Sequence, residues 1–213
     1  MRDLIGYTPL VKINYAFEQV EGVNLFAKLE YYNPSGSVKD RTGLYMVEDA
    51  IKDGRLKRGS TIVEATAGNT GLGVAFAALN QGFHVIFVVP EKFSEEKQIL
   101  MKALGADIIH TKREDGMLGA AAKAQELLSE IKDSISLQQF KNMSNPKAHY
   151  ETTGPEIYQD LDGKIDYLVA GAGSGGTYSG VVKFLKEQNR NIKGILADPV
   201  GSTMGGGEHA DYD

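Results

Sequence analysis

No cysteine occurs among the 213 residues, so disulfides, thiolate metal sites and cysteine-based nucleophilic or redox chemistry are excluded. Positive charge is also in short supply. Lys and Arg number 23 against 28 Asp and Glu, a formal net charge of −5, which leaves no basic footprint for nucleic acid. Long apolar runs are missing. Stretches such as 85–89 have strand length, far below the roughly 20 residues of a membrane helix. The opening Met1-Arg2-Asp3 leads into polar and turn residues and not into the apolar core of a signal peptide. A cytoplasmic protein with no nucleic-acid and no membrane partner is expected. Glu208, His209, Asp211 and Asp213 match no metal-ligand spacing, so no metal is expected there. His84, His110 and His149 are scattered and read as structural or surface residues. Glycine, by contrast, is plentiful: its 25 residues cluster in a few loops, a pattern of backbone held close to a ligand.

Short β-rich segments alternate with helix-length ones. Strands are expected at 25–29, 61–64, 84–89, 107–110, 167–170 and 194–197, and helices at 43–53, 71–81, 94–104, 118–132, 148–160 and 175–187. Ser94, with Lys97 and Gln98 following, lies close to a capping pattern, and Thr42 precedes the helix expected from Gly43. Such alternation with apolar strands predicts an α/β fold with one or two parallel sheets. The polar stretch 140–146 is the candidate crossing between domains. The final residues, from Gly205 to Asp213, close neither a helix nor a strand, and few elements follow Pro146. The second domain is therefore expected to be incomplete.

Three glycine-punctuated loops sit where strand gives way to helix, the end of an open α/β sheet at which ligands bind. The first is Asn33-Pro34-Ser35-Gly36-Ser37-Val38-Lys39-Asp40-Arg41. A lysine just past a tight turn, partly buried, has a lowered pKa and a neutral amine ready for carbonyl chemistry; a solvated surface lysine is the ordinary alternative. The second is Glu64-Ala65-Thr66-Ala67-Gly68-Asn69-Thr70-Gly71, whose free N–H groups suit a carboxylate, unless Thr66, Asn69 or Thr70 merely caps a helix. The third is Gly171-Ala172-Gly173-Ser174-Gly175-Gly176-Thr177, a nest of N–H groups suited to phosphate. Gly171, Gly173 and Gly176 also fit G-x-G-x-x-G, and Asp198 follows roughly twenty residues on, as in a dinucleotide-binding unit. From this loop alone an NAD-dependent oxidoreductase is favoured.

The first loop changes that preference. Asn-Pro-Ser-Gly-Ser-Val-Lys-Asp-Arg at 33–41 resembles the cofactor-lysine motif of the cysteine synthase and cystathionine β-synthase family. The second loop resembles that family's substrate loop, and the third its phosphate loop. Leu4-Ile5-Gly6-Tyr7-Thr8-Pro9-Leu10, Met101-Lys102-Ala103-Leu104-Gly105-Ala106 and Gln138-Gln139-Phe140 match as well, so the likeness runs along the whole chain in order.

The resemblance implies a fold of the tryptophan-synthase-β type with two parallel-sheet α/β domains. Residues 36–145 would form the smaller domain, and 1–35 with 146–213 the larger one. It implies pyridoxal 5'-phosphate, held covalently by Lys39, which also moves the substrate's α-proton. Asn69 would bond the cofactor's ring oxygen. Gly173, Ser174, Gly175, Gly176 and Thr177 would take the phosphate, and Thr66, Ala67, Gly68, Thr70 and Gln139 the substrate carboxylate. The reaction implied is β-replacement on O-acetylserine or serine by sulfide or homocysteine, in a homodimer.

Ala67 stands where many family members carry serine, and Ala65 where proline is usual. The form Thr-Ala-Gly-Asn-Thr-Gly, with Val89-Pro90-Glu91-Lys92-Phe93-Ser94, is most similar to bacterial cystathionine β-synthases that use O-acetylserine. Family members continue past position 213 into a part that supplies a serine for the pyridine nitrogen. A fragment or a non-catalytic protein is the remaining alternative.

Overall fold

The computed structural model describes residues 2–14 and 22–202. The acidic and histidine residues from Glu208 to Asp213 lie outside them. The chain divides into two compact units, Met1–Asn145 and Pro146–Asp213.

The first unit is built on a four-stranded sheet. Its strands are β3 (Thr61–Ala65), β4 (His84–Pro90), β5 (Asp107–Thr111) and the two-residue β6 (Ser134–Ile135), in the order β5-β4-β3-β6. Every pairing is parallel. The helices are α1 (Lys39–Lys52), α2 (Asn69–Ala78), α3 (Glu95–Ala103) and α4 (Gly116–Glu130). Strand alternation sends neighbouring residues to opposite faces. Ile62, Val85, Phe87 and Val89 pack with Met46, Val47 and Val74 of α1 and α2, while Val63 and Val88 pack with Ala120, Ala124 and Leu127 of α4. Both faces are covered, so the strand β4 in the middle of the sheet is apolar without interruption from Val85 to Val89. A separate antiparallel hairpin, β1 (Leu10–Ile13) and β2 (Leu25–Lys28), precedes α1.

The second unit contains α6 (Gly154–Asp160), β7 (Tyr167–Gly171), α7 (Gly176–Gln188) and β8 (Lys193–Ala197), with β7 and β8 parallel. Its core is Ile157, Val181, Leu185 and Ile192.

All six expected strands and five of the six expected helices occur near their expected positions. Ser94 caps α3 by accepting from the Lys97 N–H at 3.4 Å. Three features differ. Helix α1 begins at Lys39, not Gly43, and Thr42 lies buried inside it. The cause is local: the Asp40 carboxylate accepts from the Ser35 N–H at 2.7 Å and from its hydroxyl, closing the preceding turn onto the first helical residues. The single helix expected over 148–160 is three pieces, α5 (Ser144–Ala148), a π-helical turn (His149–Thr153) and α6. Pro155 has no N–H to give to the carbonyl four residues back, and a wider turn absorbs the break. Strands β1 and β6 were not expected; at four and two residues, neither offers enough alternation to be distinctive.

Candidate active site

Lys39 opens α1 from a loop that is stitched at both ends. Asn33, buried, accepts from the Gly6 N–H at 2.9 Å and donates to the Glu30 carbonyl and carboxylate, each at 2.9 Å. Arg41, 1% exposed, grips both Glu30 oxygens at 2.8 Å and donates to the Thr8 hydroxyl at 3.2 Å. This paired geometry suits a planar guanidinium better than an ammonium. Between these anchors Gly36 adopts φ 82°, the left-handed turn that lets Lys39 enter the helix. The lysine is half-buried, and burial holds its pKa below the ordinary lysine value because the ammonium form loses hydration. Next to it, burial pushes the Asp40 carboxyl up, opposed by its two hydrogen bonds from Ser35.

Helix α2 comes close to this lysine because both helices carry glycine at their crossing. A Cβ on Gly73 would fall on the Lys39 carbonyl, and one on Gly43 on the Gly73 carbonyl carbon. The second loop therefore meets the first through backbone. Its apex, Gly68, is the N-cap of α2, and no side chain caps that helix. Capping by Thr66, Asn69 or Thr70 is excluded: Asn69 and Thr70 are the first two helical residues. Their N–H groups, as at any helix start, lack intrahelical acceptors. Thr66 and Thr70 are buried, Asn69 is exposed, and Ala67 is half-buried against the core.

The segment after β6 completes this cluster. The Thr70 hydroxyl donates to Gln139 Oε1 at 2.6 Å. Asn145 Nδ2 donates to the Gln139 carbonyl at 3.0 Å, and the Thr42 hydroxyl donates to Asn145 Oδ1 at 3.1 Å. Lys39, Thr66, Ala67, Gly68, Asn69, Thr70 and Gln139 thus belong to one bonded set of loops. Glu64, at the end of β3, accepts from the Ser136 hydroxyl and the Gln138 N–H at 3.0 Å each, and from the Leu137 N–H.

In the second unit, Gly171 ends β7 and Gly176 opens α7. Gly175, the N-cap, has φ 80°, and no side chain caps the helix. A Cβ on Gly173 or Gly175 would meet nothing within 4 Å, whereas one on Gly180, a turn into α7, would strike the Pro146 carbonyl. Packing explains Gly180 but not Gly173. An open cradle lined by helix-start N–H groups is what an anion such as phosphate requires. Ser174 and Thr177 flank it. The Thr177 hydroxyl lies 3.2 Å from Nε2 of His149, a fully buried ring whose Nδ1 is 2.9 Å from the Thr153 hydroxyl. Taken each by itself, the glycine loop has the chemistry that suits a phosphate, and the desolvated lysine the chemistry that suits a carbonyl carbon, the two groups that pyridoxal phosphate carries.

Sequence reasoning took Thr42 and Gly43 for a helix start and Glu64 for the mere beginning of the second loop, missed the parts of Gly73 and Asn145, and gave His149 no role beside Thr177. The Gly43 and Gly73 signal was available, since glycine inside a helix costs stability and points to a close approach.

Three comparisons bear on the chain. A family model described as "Pyridoxal-phosphate dependent enzyme" matches residues 1–211. The O-acetylserine dependent cystathionine beta-synthase of Bacillus subtilis (strain 168) is 53% identical over 206 residues, which is 97% of this chain and 67% of that protein. The cysteine synthase of Helicobacter pylori (strain J99) is 46% identical, over 98% of this chain and 68% of its own length. Among solved structures, the O-acetylserine dependent cystathionine beta-synthase from Helicobacter pylori superposes with a TM-score of 0.89 at 44% identity, covering all of this chain and 70% of that one. The chain thus spans about two thirds of the length of these relatives.

Proposed function

The chain belongs to the family of pyridoxal-phosphate-dependent enzymes, and from that premise we propose that it carries out β-replacement on O-acetylserine or serine. The C–O bond at the β-carbon breaks, a C–S bond to sulfide or homocysteine forms, and the thiol proton leaves with acetate or water. Cysteine or cystathionine is the product. The observation that carries this reading is Lys39, a half-buried amine at a helix start whose charged form burial disfavours. The dinucleotide reading of Gly171, Gly173 and Gly176 leaves Lys39 without a purpose, and no comparison supports it.

The cofactor, when bound, supplies a carbonyl carbon for amines and an electron sink for the α-carbon. The chain's own residues do the rest. Lys39 Nζ would hold that carbonyl carbon at rest and, once displaced by the substrate amine, take the α-proton as a neutral base. Asn69, exposed at the start of α2, would bond the ring oxygen. Thr66, Ala67, Gly68 and Thr70 would hold the substrate carboxylate through helix-start N–H groups and hydroxyls, with Gln139 held beside them by Thr70. Ala67 contributes its N–H without the hydroxyl of a serine. In the second unit, Gly173, Ser174, Gly175, Gly176 and Thr177 would take the phosphate.

The same reading makes 36–145 the smaller domain and joins 1–35 to 146–213. Its support is that the β1–β2 hairpin shares no ladder with the four-stranded sheet. It extends to a homodimer in the cytoplasm, on family likeness. No described helix is long and apolar enough to cross a membrane.

The test is the visible spectrum of the purified chain with pyridoxal phosphate, before and after O-acetylserine and, separately, serine. A cofactor band that shifts on adding the donor, then returns with homocysteine or sulfide, supports the reading and identifies the acceptor. A band that ignores both amino-acid donors overturns it.

A further inference from the structure

We propose that Glu64 is a positioning residue for substrate binding, pinning the backbone of 136–138 so that Gln138 keeps a left-handed conformation and Gln139 is delivered to Thr70. The inference rests on the assignment of Thr70 and Gln139 to the substrate carboxylate.

The ladder between β3 and β6 is short: it pairs Thr61 with Ser134 and Ile62 with Ile135, then stops. Beyond that point the Glu64 side chain takes over from the backbone. One oxygen, Oε1, accepts from the Ser136 hydroxyl at 3.0 Å, from the Leu137 N–H, and from the Gln138 N–H at 3.0 Å. Gln138 has φ 52°, a conformation in which a residue with a Cβ is strained. Its side chain is exposed, so burial of that side chain does not explain the strain. What the turn achieves is direction. The Gln138 carbonyl faces the Lys141 and Asn142 N–H groups at 2.9 and 3.0 Å, and the next residue presents its side chain to Thr70 at 2.6 Å and its carbonyl to Asn145 at 3.0 Å. Strained backbone held by surrounding bonds and ending on a ligand-facing side chain is characteristic of functional sites. Burial pushes the Glu64 carboxyl up, while the bonds from Gln138, Leu137 and Ser136 act the other way and favour the acceptor form.

The experiment uses the chain with pyridoxal phosphate bound and compares wild type, Glu64→Gln, Gln138→Val and the double variant Glu64→Gln/Gln138→Gly. L-serine affinity is read from the cofactor absorbance, and amide hydrogen exchange at 137–138 is read without substrate. Glu64→Gln leaves one amide oxygen to accept but removes the carboxylate charge that strengthens all three bonds, and Gln138→Val puts a β-branched residue at positive φ. Each should speed exchange and weaken serine binding about tenfold, the scale of one well-placed hydrogen bond, with cofactor retention unchanged. Gln138→Gly adopts φ 52° freely and should restore most of the affinity in the Glu64→Gln background, which a general loss of stability would not allow. Unchanged exchange in both single variants overturns the proposal, as does unchanged affinity in both, or a Glu64→Gln defect that Gln138→Gly leaves in place. If Glu64→Gln does not fold, Gln138→Val decides alone by the same criteria. If wild type responds to neither serine nor O-acetylserine, the β-replacement reading falls, and the exchange data still judge the Glu64 clamp.

Discussion

Around Lys39, position is specified by side chains: Thr70 reaches Gln139, Asn145 reaches the Gln139 carbonyl, and Thr42 reaches Asn145. Around Gly175 it is specified by backbone: a left-handed N-cap, no side-chain cap on α7, and glycines whose missing Cβ atoms leave open space. A carboxylate and a reacting carbon must be held in a definite orientation, which needs directional groups from several elements. A phosphate is nearly symmetric and accepts from any converging N–H, so a helix start with glycine before it suffices. Substitutions near Lys39 should therefore act through lost chemistry, and those near Gly175 through altered conformation and crowding.

The sharpest break in that contrast is Lys39→Ala. On the proposed roles, removing the amine would take away both the covalent hold on the cofactor and the base, and turnover should fall by at least about a thousandfold. Borohydride reduction followed by mass analysis should fix the cofactor to wild type and not to the variant. Covalent attachment in Lys39→Ala would assign the role to another lysine.

On the backbone side, Gly175→Val forces a β-branched residue into φ 80°, at a cost of about 1–3 kcal/mol. It should lower the melting temperature and weaken pyridoxal phosphate binding by more than about tenfold. Gly173→Ala makes the control, because its Cβ meets no protein atom and its φ is not among the positive values. Without cofactor its melting temperature should match wild type, while cofactor affinity drops. Equal affinity in wild type and Gly173→Ala would leave the loop without a role in phosphate binding.

A smaller effect is expected for Thr70→Val, which keeps shape and deletes the hydroxyl donated to Gln139. One hydrogen bond of about 1 kcal/mol predicts a roughly fivefold rise in KM for the amino acid. The kcat should change less, since the proposal gives the hydroxyl to the carboxylate loop and not to the reacting carbon. A fall in kcat at constant KM would move Thr70 into the proton-transfer step.

How far the sequence foretold this depends on the distance over which each feature is encoded. The three glycine loops and the strand–helix alternation are local, and all stand where expected. The start of α1 follows a local contact that no capping pattern describes, Ser35 closing on Asp40, whereas Thr42, which looks like a cap, serves Asn145 103 positions away. Glu64 is also remote from the segment it holds, 74 positions from Gln138. No spacing rule links residues so far apart. The division of labour at Gly173 and Gly180 was equally hidden, because both are small residues near a helix start, and only the surroundings tell the packed glycine from the open one.

The finest discrimination between a desolvated catalytic amine and a solvated lysine is a pH slope. Burial lowers the Lys39 pKa in the folded chain, while the unfolded chain titrates at the ordinary lysine value. Below the folded pKa both states carry the proton, and the folded state bears the full desolvation penalty. As pH rises through the folded pKa toward the unfolded one, the folded amine releases its proton first. The unfolded state then binds more protons, so stability must increase across that window. The cofactor-free chain should therefore show a rise in denaturation midpoint over this interval that Lys39→Met lacks, superimposed on a common background from the other groups. Lys39→Met should also be the more stable of the two below the folded pKa, where the wild-type amine is still charged. Parallel profiles for the two chains would mean that the Lys39 amine stays hydrated, and the lysine loop would then resemble the glycine loop in acting through backbone alone.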